Sequence, residues 1–78
     1  MKVKELKLRL QKEKFNPHCY NVDGGKPLDG YGLVFRSGLW VYFTFERGIE
    51  SNQKMFLDES DACEYFYNAI NEDPTVKP

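Results

Sequence analysis

Apolar and polar positions alternate most clearly between Leu39 and Glu46, where Leu-Trp-Val-Tyr-Phe-Thr-Phe-Glu precedes Arg47-Gly48. Aromatic and β-branched residues at this density suit a pleated surface, and the run is too short for a typical helix. Side chains of a strand alternate between faces, so Val41, Phe43 and Phe45 share one face and Trp40, Tyr42, Thr44 and Glu46 the other. The first set is wholly apolar and is expected to meet the core. The second carries polar tips on apolar bodies, which suits a wet boundary or a partner.

Other elements follow from the same periodicities. Val3, Leu6 and Leu10 form one stripe of a helix, although Leu6, Leu8 and Leu10 also alternate as in a strand. The predominance of good helix formers decides for a helix over about 2–14, ended by Asn16-Pro17. His18 to Val22 reads as a short strand and Asp23-Gly24-Gly25-Lys26-Pro27 as a turn. Tyr31 to Phe35 is a further strand, hairpinned through Ser37-Gly38 to the central one. A three-residue loop places Leu33 and Phe35 with Val41 and Phe43, whereas a two-residue loop pairs them with Trp40 and Tyr42. One residue of slip exchanges the faces. Lys54 to Leu57 reads as a last short strand. Asp58 is placed as an N-cap, and Ala62, Cys63, Phe66, Ala69 and Ile70 predict an amphipathic helix over about 59–71.

The order predicts an α+β fold: a small antiparallel sheet of three to four strands, with an N-terminal and a C-terminal helix packed on one face. Residues 1–73 form a single domain, and 74–78 a frayed tail. At 78 residues the chain buries only roughly 60% of its unfolded surface, so each core aromatic matters.

Charge is near balance but uneven. Residues 1–40 sum to +4 and residues 41–78 to −5, which suggests oppositely charged surfaces. The N-terminus lacks the apolar segment of a secretory signal, and no run is long enough to span a membrane. The expectation is a cytoplasmic protein in which Cys19 and Cys63 are reduced thiols.

Candidate chemistry is thin. His18 and Cys19 are neighbours, so on a strand they point apart and form no nucleophile–base pair. One histidine and two distant cysteines fall short of a zinc site. Gly24-Gly25-Lys26 is followed by Pro27 rather than by a helix, unlike a phosphate loop. Asp58, Glu59 and Asp61 are explained by helix capping, and Glu64 follows without a surrounding pocket pattern. No catalytic residue, cofactor or metal is therefore assigned. The basic residues Lys2, Lys4, Lys7, Arg9, Lys12 and Lys14, with aromatics able to stack bases, leave a small nucleic-acid-binding or regulatory interaction module as the alternative.

Asn16-Pro17, Tyr20, Gly24-Gly25 with Pro27, Tyr31, Leu33, Trp40, Glu46-Arg47-Gly48, Phe56 and Glu59-x-x-Ala62-Cys63-x-Tyr65-Phe66 carry a resemblance. Their arrangement resembles small immunity proteins of bacterial polymorphic-toxin and contact-dependent growth inhibition systems. Asp29 stands where that pattern usually has Glu, and the strand Val41 to Phe45 distributes its apolar residues differently. The resemblance implies a non-enzymatic protein that neutralises one cognate toxin C-terminal domain, with no direct nucleic-acid or membrane partner. Trp, Tyr and Arg are enriched at binding hot spots. The expected partner surface is therefore Trp40, Tyr42 and Thr44, rimmed by Arg36, Glu46 and Arg47, with Asp29 near its edge. Asp29, Glu46 and Glu50 would meet the basic cleft of a nuclease toxin.

Overall fold

The computed structural model describes residues 1–25 and 29–76. Helix α1 (Val3–Lys12) is followed by a short 3-10 turn (Pro17–Cys19), then β1 (Tyr20–Asn21), β2 (Gly30–Arg36), β3 (Leu39–Glu46), β4 (Ile49–Phe56) and helix α2 (Glu59–Asn71). The strands form one sheet in the order β1-β2-β3-β4. β2, β3 and β4 are antiparallel, as the hairpin pattern predicted, while β1 lies parallel to β2 and makes the sheet mixed. The fold is α+β with both helices on one face. The expected turn over 23–27 falls partly on Lys26 and Pro27, and the expected tail partly on Lys77 and Pro78, all outside the described residues.

α1 stops before Asn16-Pro17. Lys14 adopts a positive φ of 63°. Its N–H donates to the Gln11 carbonyl, and the Phe15 N–H donates to the Leu10 carbonyl. This is a Schellman ending with lysine at the usual glycine position. Phe15 and Leu10, the apolar pair that accompanies it, are both buried. At the other end no side chain of α1 caps the helix. Instead Glu59 reaches across from α2 and accepts the Val3 N–H at 2.9 Å. Tyr67, near the end of α2, donates its hydroxyl to Glu13, just past α1. The two contacts fix the helices side by side and parallel. Asp58 caps α2 as expected, accepting the Ser60 N–H at 3.0 Å.

Both hairpins turn on two residues with positive φ: Ser37 and Gly38 at 53° and 81°, Arg47 and Gly48 at 55° and 80°. This geometry matches the right-handed twist of the flanking strands. The first turn settles the face assignment. With a two-residue loop, Leu33 pairs with Tyr42 and Phe35 with Trp40. The helices then cover Leu33, Trp40 and Tyr42, together with Leu6, Leu10, Cys63, Phe66 and Ile70. The assignment of Val41, Phe43 and Phe45 to the helix-covered core is therefore overturned.

Those three residues are nonetheless buried, in a second cluster on the opposite face with Val34 packed against it. Phe43 lies over Gly32, where an added Cβ would come within 1.9 Å of its ring. The Arg36 guanidinium sits 5.9 Å from the Phe43 centroid and is ion-paired with Glu50 at 3.4 Å. The ladder between β3 and β4 shifts by one residue between Tyr42 and Thr44. There Asn52 takes a φ of 53°. Such a bulge bends and twists the strand that carries it. β4 starts at Ile49, well before the Lys54 expected from the sequence. The chain also stays docked beyond α2: Val76 is buried in the main core and its carbonyl accepts the Asn16 N–H. Of the tail expected over 74–78, Val76 is packed into the core.

Candidate functional site

The eight residues expected at the partner surface do not form one surface. Tyr42 is only 6% exposed and packs edge-on to Phe66 beneath α2. Burial pushes its hydroxyl pKa up to about 12, with Tyr65 adding to the shift. It is a core residue, because the two-residue turn aims it at the helices. Trp40 is half-buried on the same face and packs against the core. Thr44 faces a polar cleft with Tyr31, Ser51, Asn52 and Asp73. In that cleft the Asn52 amide donates to Thr44 Oγ1 at 2.9 Å, and the Tyr31 hydroxyl donates to Asp73 at 2.6 Å. Arg36 and Glu50 lie on the opposite face of the sheet, ion-paired at 3.4 Å. Asp29, Glu46 and Arg47 gather at the β3–β4 turn, which Asp29 braces by accepting the Arg47 N–H at 2.9 Å.

What the fold does assemble is an aromatic strip across one end of the helix-side face. Phe35 contacts Trp40 at 5.0 Å between centroids. Trp40 pairs with Phe56 across the ladder. Phe56 meets Tyr65 of α2 at 5.4 Å, and Tyr65 packs edge-on to Tyr42 at 4.9 Å. Phe35 is 57% and Tyr65 38% exposed. Lys54 reaches over the Tyr65 ring at 6.0 Å. The strip borders the outward face of α2, where Asp61, Glu64, Asn68 and Glu72 are all exposed.

The sequence reading found Trp40 and missed Phe35, Phe56 and Tyr65 as its neighbours. Tyr65 was available: it sits one residue off the stripe that buries Ala62, Phe66 and Ile70, so it had to point outward. Phe35 could not be placed from the sequence, because its face depended on whether the loop was Ser37-Gly38 or Ser37 to Leu39.

The remaining candidates stay separate. His18 is exposed on the 3-10 turn, Cys19 packs against the core and Cys63 is fully buried. Both cysteines are free thiols. Among the described residues, no group of three or more His, Cys, Asp or Glu side chains is placed to hold a metal ion. No helix among them is long and apolar enough to cross a membrane. No family model matches the chain, and no curated protein or solved structure is significantly similar to it.

Proposed function

We propose that this chain is an immunity protein, a non-catalytic inhibitor that binds a cognate bacterial toxin domain in the cytoplasm and neutralises it by steric occlusion. The observation that carries the reading is the aromatic strip Phe35–Trp40–Phe56–Tyr65 beside the acidic face of α2, with Phe35 and Tyr65 exposed and Trp40 and Phe56 half-buried between them. Half-exposed aromatics on a rigid sheet supply anchors at low entropic cost, and flanking charge supplies specificity and encounter rate. The motif resemblance, from Asn16-Pro17 to the Ala62-Cys63 helix, supports the same class. The partner surface moves accordingly from the Trp40–Tyr42–Thr44 set to this strip.

A nucleic-acid-binding module is the weaker reading. Lys7 is engaged by Asp23 at 2.7 Å and Arg9 by Glu13 at 2.9 Å, so part of the basic charge on α1 is already neutralised. On this reading a toxin C-terminal domain should be encoded directly upstream of this chain's gene, and the test is co-expression with it. Cells should survive only when the chain is present, and the two proteins should co-purify. Survival without complex formation, or salt-sensitive retention of nucleic acid in its place, would sink the proposal.

A further inference from the structure

β4 is the last strand of the sheet, and among the described residues no strand pairs with its outer side. Ile49 is 69% exposed, Met55 60% and Leu57 86%, so three large apolar side chains stand along this edge and just past it. Long edges of this kind are templates for strand addition. Proteins blunt them with bulges and lysines, and β4 has both, in the bulge near Asn52 and in Lys54. A regular strand laid against the bulge would lose register halfway along.

A second copy of β4 would not. Opposite β3, Ile49, Ser51, Lys54 and Phe56 occupy the helix-side face, while Glu50 and Met55 occupy the other. Read from either end, this order of faces is the same, with Asn52 and Gln53 at its centre. By the alternation of an antiparallel ladder, Glu50 and Met55 turn their N–H and C=O groups away from β3. We propose that the chain forms a two-fold homodimer by antiparallel pairing of β4 with β4 of a second copy, the axis passing between Asn52 and Gln53. Bulge then meets bulge, and Glu50 pairs with Met55 of the second copy through outward-facing backbone groups. Ile49 lies against Phe56 of that copy, and Leu57 lies beside Gly48 and Ile49. Beyond the strand ends, Arg47 comes opposite Asp58 of the second copy, and symmetry repeats this pairing of opposite charges. An isologous contact of this kind closes on itself and leaves no free β4 edge. Phe35 and Trp40 lie away from the seam and remain open.

The seam shares Phe56 with the aromatic strip, but the proposal does not rest on toxin neutralisation, and its test uses the free chain alone. Sedimentation equilibrium over a range of concentrations should show a reversible monomer–dimer transition. Amide exchange at Met55 should slow as the dimer fills. Ile49→Lys and Leu57→Glu change exposed side chains, so each should stay folded by circular dichroism while weakening dimerisation about tenfold or more. Arg47→Glu should weaken it less. A monomer at every concentration would overturn the proposal. So would a dimer that survives Ile49→Lys and Leu57→Glu together, because the contact would then lie elsewhere.

Discussion

At Gly30 and Gly32 the fold leaves no room for a side chain. Gly30 has a φ of 142°, and a Cβ there would come within 2.0 Å of the Cys19 carbonyl oxygen, at the point where β2 passes the end of the 3-10 turn. That obstacle is backbone and cannot rotate away. Gly30→Ala should therefore cost about 3 kcal/mol, measured by urea denaturation, through combined strain and displacement of β1. Lys14 is the opposite case. A lysine pays for its left-handed backbone at the end of α1, so Lys14→Gly should stabilise the protein by several tenths of a kcal/mol to about 1 kcal/mol.

Buried titratable groups set the alkaline limit. Burial, with smaller contributions from nearby acidic side chains, pushes the Cys63 thiol up to about 11. Burial pushes Tyr42 up to about 12, and raises Tyr31 further with help from its hydrogen bond to Asp73. In each case the folded state holds the proton more tightly than the unfolded chain. Stability is intact below the ordinary thiol value of 9.0 and falls as pH rises from there through about 11 to 12. A denaturation series across that window checks the slope. Cys63 should also resist alkylation in the native protein at mildly alkaline pH, and react fully once the chain is unfolded.

Among the elements, α2 ties the layers together, since Phe66 is fully buried and touches both Tyr31 and Tyr42 edge-on. Phe66→Ala should cost roughly 3–5 kcal/mol, much of the stability expected for a domain of this size. A loss below about 1 kcal/mol in thermal melts would mean the helix is not docked as described. α2 was legible because its cap, its stripe and its length agree. α1 was legible as a helix but not at its end, because a Schellman turn with lysine in place of glycine leaves no composition signal. β4 was half missed for a different reason. Glu50 to Lys54 is polar throughout, as an edge strand can be, and its pairing is imposed by the Arg47-Gly48 turn rather than by its own pattern. The choice between Ser37-Gly38 and Ser37 to Leu39 mattered most. Both sides of β3 are buried, one under the helices and one in the cluster that Val34 packs against, so hydrophobicity alone could not say which face the helices take. One residue of loop length inverted the sheet and moved the candidate surface with it.

The parallel helices give the whole molecule a charge pattern that neither helix predicts alone. Lys4 and Lys12 of α1, and Asp61 and Glu64 of α2 with Glu72 just past its end, are exposed on adjacent helices. The acidic side borders the aromatic strip. A partner with a basic cleft would be drawn to that side and then held by the aromatics, so the two contributions separate kinetically. If the proposed toxin-neutralising function holds, Glu64→Lys should slow association with the toxin domain and flatten its dependence on salt, with little change in dissociation. Phe35→Ala should act on dissociation, costing about 2 kcal/mol of binding while leaving the thermal melt nearly unchanged, since the ring is 57% exposed. Trp40→Ala is the less clean probe, because Trp40 also packs against the core and its loss should lower stability and binding together. Surface plasmon resonance with the toxin domain at several salt concentrations, with each variant first checked by circular dichroism, distinguishes these effects. If Phe35→Ala and Tyr65→Ala both bind as tightly as the parent chain, the strip is not the toxin contact. That result would leave the Thr44–Asp73 cleft and the Asp29-braced turn as the next surfaces to test by substitution.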